Sequence, residues 1–175
     1  KTWSNITFDF GSVNNRYYED NIIYLGPYGS SNEGGLGGRY CVRYNTFHNV
    51  GGSGVQPWFD MHGNMGTSGN LSTMGAEIYG NVIYTGNMSL TFFDHRGGRL
   101  IAYNNTAYDV RGINGAKARE EYLDSLNPPA ANPAGQPQHV SDSYYWNHVA
   151  NGSVIYDYHI SQTLDYGGTT GVVPR

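Results

Sequence analysis

Residues 99–110 read Arg-Leu-Ile-Ala-Tyr-Asn-Asn-Thr-Ala-Tyr-Asp-Val, and they contain a frame that recurs along the chain. An apolar residue is followed by two spacers, an asparagine, one spacer and a second apolar residue: Ala102, Asn105, Ala107. Ile78, Asn81, Ile83 and Val42, Asn45, Phe47 repeat it, Tyr18, Asn21, Ile23 is a weaker copy, and Tyr144, Asn147, Val149 closes the series. Successive asparagines are 24, 36, 24 and 42 residues apart. A fixed unit with insertions of variable length is how a solenoid looks in sequence. Asparagine suits a sharp corner because it tolerates the left-handed backbone conformation. Stacked amide side chains can also hydrogen-bond in a ladder. Mere abundance of asparagine in turns would not keep the flanking apolar positions in step with it.

Outward from these frames, most of the chain alternates short strands with turns. Ile6–Phe10 alternates apolar and polar residues, strand-like sequence runs from Arg16 to Leu25, and residues 26–38 form a Gly-rich loop with few side chains to pack. Phe8-Asp9, Phe59-Asp60 and Phe93-Asp94 read as equivalent points of three coils, with a long polar loop at 63–75. Residues 116–126 carry strong helix formers, with Tyr122 and Leu126 four apart, and predict one short helix that Asn127-Pro-Pro ends. Residues 111–139 are thus expected to be a helical and Pro-rich insertion in one all-β domain spanning 1–175. Strand sequence resumes over 140–157. A solenoid without a polar cap leaves an open strand edge, so a longer parent chain is expected beyond Lys1 or Arg175.

Composition narrows the function classes. Sixteen Tyr, 25 Gly and 14% charged residues favour β structure with many turns. A formal charge of −4 argues against a nucleic-acid partner gripped through its phosphates. Cys41 is the one cysteine, so no internal disulfide can form, and it reads as a small buried apolar residue. No apolar run reaches the ~20 residues of a membrane span. Asn5-Ile-Thr, Asn70-Leu-Ser, Asn87-Met-Ser, Asn104-Asn-Thr and Asn151-Gly-Ser fit the glycosylation pattern of secreted proteins, though a chain this rich in Asn and Ser forms such triplets by chance.

Val42-Arg-Tyr-Asn-Thr-Phe, Ile78-Tyr-Gly-Asn-Val-Ile and Ala102-Tyr-Asn-Asn-Thr-Ala together resemble the coils of the pectate-lyase-like superfamily, with Tyr144-Tyr-Trp-Asn-His-Val a looser match. The resemblance implies a right-handed parallel β-helix, a single-stranded solenoid, whose long loops leave a first sheet that forms the usual substrate groove. Members include calcium-dependent polysaccharide lyases, glycoside hydrolases, phage tailspikes and adhesins, so the fold does not choose among them. The expectation is a secreted, carbohydrate-active protein, a polysaccharide lyase or glycoside hydrolase if an enzyme, acting on an acidic polysaccharide. The competing expectation is a non-catalytic scaffold or adhesive, carbohydrate-binding module.

Asp60-Met-His62 and Asp94-His95-Arg96 end neighbouring strands, so stacking is expected to gather two Asp, two His and an Arg. Asp60 and Asp94 are candidate ligands for a hard cation such as calcium. His62 and His95 titrate in the range of a base for β-elimination, and Arg96 joins them as a catalytic candidate, since some lyases of this fold use Arg as the base. Arg96 or Arg99 is expected to grip an acidic sugar in bidentate fashion. Tyr103 belongs to a set, with Tyr17, Tyr18, Tyr79, Tyr84 and Tyr108, that offers rings for sugars or else stacks inside the coil. The plainer alternative is that Asp after Phe at a strand end accepts backbone N–H groups in the next turn. Glu77 and Asp109 read as outward-facing and solvated.

Overall fold

The computed structural model describes residues 9–26, 32–34, 38–51, 58–62, 73–118, 140–155 and 158–160. Among the described residues sixteen strands follow one another and there is no helix. A first circuit contains β1 (Arg16–Glu19), β2 (Ile22–Leu25) and β3 (Asn32–Gly34); a second contains β4 (Arg39–Arg43), β5 (Thr46–Asn49) and β6 (Phe59–Met61). The third has β7 (Gly75–Tyr79), β8 (Val82–Tyr84) and β9 (Ser89–His95), and the fourth β10 (Gly98–Tyr103), β11 (Thr106–Tyr108) and β12 (Gly112–Ala118). The last described strands are β13 (Val140–Trp146), β14 (His148–Ala150), β15 (Ser153–Ile155) and β16 (Tyr158–Ile160).

These strands form three sheets: β1-β4-β7-β10-β13 (sheet A), β2-β5-β8-β11-β14-β15 (sheet B) and β3-β6-β9-β12-β16 (sheet C). Every pairing is parallel except β14 with β15. The protein is therefore all-β, and its cyclic visits to three parallel sheets are consistent with a β-helix-like fold. Residues 116–118, expected to begin a helix, instead complete β12; the remaining helix residues and the Pro-rich stretch lie outside the described residues. Their backbone is held by the register Ala116↔Tyr158 and Lys117↔Asp94, a tertiary pairing that overrides local helix propensity. The Gly-rich 26–38 stretch likewise contains β3, which pairs with β6 through Glu33↔Asp60.

The repeating frame is the interior. Val42, Ile78 and Ala102 are register partners in sheet A, and Phe47, Ile83 and Ala107 in sheet B; all six are at most 1% exposed. Fully burying the four larger side chains, Val42, Ile78, Phe47 and Ile83, contributes roughly 1.5–3 kcal/mol each. Between the two sheets the asparagines stand in one column. Asn21 Nδ2 donates to Asn45 Oδ1 (2.9 Å), Asn45 Nδ2 to Asn81 Oδ1 (3.1 Å), and Asn81 Nδ2 to Asn105 Oδ1 (2.9 Å). The backbone N–H groups of Asn21, Asn45 and Asn81 donate to the same oxygens at 3.0–3.1 Å.

Two expectations about this column need correction. The left-handed residue is the one before each ladder position, Asp20, Tyr44, Gly80 and Asn104 before the asparagines and Asn147 before His148, with φ of 58°, 56°, 65°, 53° and 54°. The asparagine itself serves the ladder. The fifth position is His148, whose Nδ1 lies 3.4 Å from both Asn105 N and Asn105 Nδ2, while Asn147 stands one place earlier and donates to Asn104 Oδ1. An irregularity in the β10/β13 pairing, between Arg99 and Ile101, shifts the last circuit by one residue.

His148 and His95 are buried, and burial pushes both imidazoles down from 6.5 to about 4. A folded value below the unfolded one means that the fold prefers the neutral ring. The associated stability is complete above pH 6.5 and is lost as pH falls toward 4, on the order of 3 kcal/mol per ring. His148→Asn should extend the amide ladder and remove about half of this acid loss, measured as urea midpoint against pH. In the ladder itself, Asn81→Ala should cost roughly 2–4 kcal/mol, because buried donors and acceptors lose partners on both sides. Asn21→Ala, at the exposed end, should cost under about 1 kcal/mol in the same urea titration.

Candidate functional site

Sheet C brings Asp60 and Asp94 together as register partners, because β6 and β9 carry the same Phe-Asp pair one circuit apart. Strand alternation sends Phe59 and Phe93 inward and the two carboxylates outward. Asp9 does not share their column. It precedes β1, where its carbonyl accepts from Ser12 N, and Glu33 occupies the register position beside Asp60. Lys117 holds the position beside Asp94 on the other flank. Neither was visible as a site candidate: Glu33 sits in a Gly-rich stretch without apolar alternation, and Lys117 in sequence with helix propensity.

Just past the strand ends, Arg96 folds back onto Asp60. Its Nη2 donates to Oδ1 and Oδ2 at 2.6 and 2.7 Å, and its Nε donates to Oδ1 at 3.2 Å. Asp94 Oδ2 lies 3.8 Å from the same Nε. His62 Nε2 is 2.7 Å from Arg96 Nη2 and 3.3 Å from Asp60 Oδ2. A guanidinium has only donors, so the nitrogen facing it at 2.7 Å accepts, which places the lone pair of His62 on Nε2. Asp60, Asp94 and Arg96 are buried, and the His62 side chain, 13% exposed, is the most open of the four. Burial pushes the Asp60 carboxyl up, but with the lone pair of His62 on Nε2 it is the Arg96 guanidinium, donating to both oxygens, that outweighs this and holds the carboxyl below its ordinary value.

The other predicted residues point elsewhere. His95 follows Asp94 in the same strand and therefore faces the interior, beside Met61. Its Nε2 lies 3.1 Å from the carbonyls of Gly97 and Gly98, so it carries the proton there, and Nδ1 accepts from Tyr145 Oη at 2.5 Å. Gly98, at φ 79°, then turns the chain into sheet A; a Cβ there would lie 2.1 Å from Thr73 O. Beyond that turn Arg99 and Tyr103 belong to sheet A, not sheet C. Arg99 Nε lies 3.3 Å from Asp142 Oδ2, and Tyr103 stacks between Tyr79 and Trp146. Glu77 faces outward but is covered: its Oε1 accepts from Gly11 N (2.7 Å) and Asn15 Nδ2 (2.9 Å) of the segment preceding β1. Asp109 is exposed at a turn with φ 57°.

Calcium takes six to eight oxygen ligands. Here both Asp60 oxygens already accept from Arg96, so a cation would have to displace the guanidinium. Among the described residues no three His, Cys, Asp or Glu side chains converge as a metal site, and no helix is long and apolar enough to cross a membrane.

Because Asp60 and Arg96 are buried together, Arg96→Ala should cost about 3–5 kcal/mol by stranding a charge, whereas Asp60→Leu with Arg96→Leu should cost less than either single change. Chemical unfolding of Arg96→Ala, the two Leu single variants and the double variant checks this. The share due to Asp60 is complete above its ordinary value of 3.8 and is lost as pH falls below it, a more acidic window than that of the histidines. Compared with protein family models, with curated proteins and with solved structures, the chain matches none, so the functional reading rests on the geometry above.

Proposed function

We propose that this chain is a right-handed parallel β-helix, similar to the pectate-lyase-like superfamily, that acts on an extracellular acidic polysaccharide as a lyase, with the outer face of sheet C as its sugar-binding side. The observation that carries the reading is the His62–Arg96–Asp60 contact: an imidazole lone pair 2.7 Å from a guanidinium that a carboxylate holds in place. A uronate carboxylate entering the site replaces His62 as acceptor of an Arg96 N–H. The freed Nε2 then removes the proton α to that carboxylate while the glycosidic C–O bond breaks and the leaving oxygen takes a proton from water. Arg96 stabilises the negative charge that develops on the uronate, and Asp60 keeps the guanidinium aimed. His95 supports the interior and takes no part.

A second reading, a non-catalytic scaffold or adhesive module, is favoured by the burial of the Asp60–Arg96 pair, since strand-end ion pairs commonly stabilise turns. A panel of uronate polymers, monitored for the ultraviolet absorbance of unsaturated products with calcium and with chelator, separates the two. Cleavage is expected from the native protein and a loss of 10²-fold or more in His62→Gln, with the unfolding midpoint unchanged. No product from any polymer in either condition sinks the lyase reading in favour of the scaffold.

A further inference from the structure

The outer face of sheet A carries a column of stacked rings that the sheet C chemistry does not use. Tyr79, Tyr103 and Trp146 are register partners on β7, β10 and β13. Tyr79 and Tyr103 lie 4.6 Å apart at 6°, and Tyr103 and Trp146 4.6 Å apart at 9°. Rings stacked in this way spend their faces on one another. Tyr103 is covered on both faces, and the other side of Tyr79 meets the edge of Tyr44 (5.6 Å, 87°) and the Arg43 guanidinium, which bonds its hydroxyl at 2.8 Å. Within this column Trp146 is the ring with a face that meets no other ring, stacked or edge-on, among the described residues. It stands on the last strand in the order of sheet A and is 45% exposed.

The surroundings of that face say what would settle on it. Tyr144, two residues earlier on the same side of β13, is 50% exposed. At the adjoining corner Asn147 Nδ2 donates to Asn104 Oδ1 at 2.5 Å, an exposed amide pair that uses one donor and one acceptor of the groups it contains. Both asparagines are held at φ near 54° by the corner, so the amides are pre-placed. The nearest ionised groups on β10 and β13, Arg99 and Asp142, pair with each other. A flat apolar face beside fixed amides, without net charge, complements a pyranose ring: its C–H face stacks on the indole and its hydroxyls bond the amides.

We propose that Trp146, Tyr144 and the Asn104–Asn147 pair form a binding site for an uncharged sugar residue of a polysaccharide, on a different sheet from the Asp60–Arg96 cluster. It shares with the preceding reading only the carbohydrate nature of the ligand, and it stands or falls without the lyase chemistry.

Affinity electrophoresis and calorimetry with galactomannan and hydroxyethyl cellulose, against polygalacturonate as the charged control, test it on the full chain. Binding of a neutral polymer is expected, weakened tenfold or more in Trp146→Ala, threefold or more in Asn147→Gly, which suits the left-handed backbone, and little in Trp146→Tyr. His62→Gln should bind as the native protein does, and Trp146→Ala should retain any uronate cleavage. Unchanged affinity in Asn147→Gly and Trp146→Ala overturns the proposal, and if Trp146→Ala does not fold, unchanged affinity in Asn147→Gly does so alone. Retention by polygalacturonate only also overturns it. So does concentration-dependent self-association in sedimentation that Trp146→Tyr abolishes without any polymer bound, because the occupant is then a second copy. Failure here with uronate cleavage intact leaves the lyase reading standing, and the reverse pattern leaves the sugar site standing.

Discussion

The structure depends on a column of buried amides at the corner between sheets A and B. An asparagine side chain has two N–H donors and two acceptor lone pairs, and Asn81 uses all four. One N–H goes to Val42 O and the other to Asn105 Oδ1, while its own Oδ1 accepts from Asn45 N and Asn45 Nδ2. A polar group fully removed from water is costly unless it is satisfied. Asn81 is satisfied by the circuits above and below, and Asn21 and Asn45 add one bond each to the carbonyl two residues earlier, so the column sets the stacking of one circuit on the next. Because it sits where β4, β7 and β10 pass into β5, β8 and β11, one column holds the register of two sheets.

That constraint also explains where the chain varies. Residue numbers step by 24, 36, 24 and 43 along the column, yet the first four passages from sheet A to sheet B keep the same two-residue corner, and the fifth, from Trp146 to His148, leaves one residue between the strands. Extra length enters after sheet B and after sheet C, where no ladder is interrupted. Sheet C accordingly receives its polar groups at strand ends next to the insertions, while sheets A and B present regular columns of rings. On sheet B these are Tyr24, His48, Tyr84 and Tyr108, with centroids 4.7–5.3 Å apart. Their faces are spent within the stack, so much of the aromatic content stiffens the surface.

The Asp60–Arg96 pair shows how burial changes the meaning of a motif. As sequence, two Asp, two His and an Arg at matching strand ends suggest a metal site with a base. In the fold, the guanidinium answers the negative charge that a cation would otherwise answer, and His95 leaves the group because neighbours in a strand face opposite ways. The alternation needed to separate His95 from Asp94 was present in the sequence. The commitment of Arg96 was not, since the residue it folds onto lies 36 positions earlier.

The sequence by itself determined the all-β repeat, the interior positions of the three central frames though not of the outer two, whose Tyr18 and Tyr144 are exposed, the column from Asn21 to Asn105 and the juxtaposition of Asp60 with Asp94. These follow from a spacing that recurs, and stacking turns equal spacing into adjacency. Only the tertiary structure decided that His148 takes the fifth place, that Glu33 and Lys117 hold the register positions beside Asp60 and Asp94, and that Glu77 lies beneath the segment before β1. Those outcomes hinge on a one-residue irregularity and on pairings between distant segments that individually carry little pattern. Hydrogen bonds formed across tens of residues leave no mark on the local sequence that makes them.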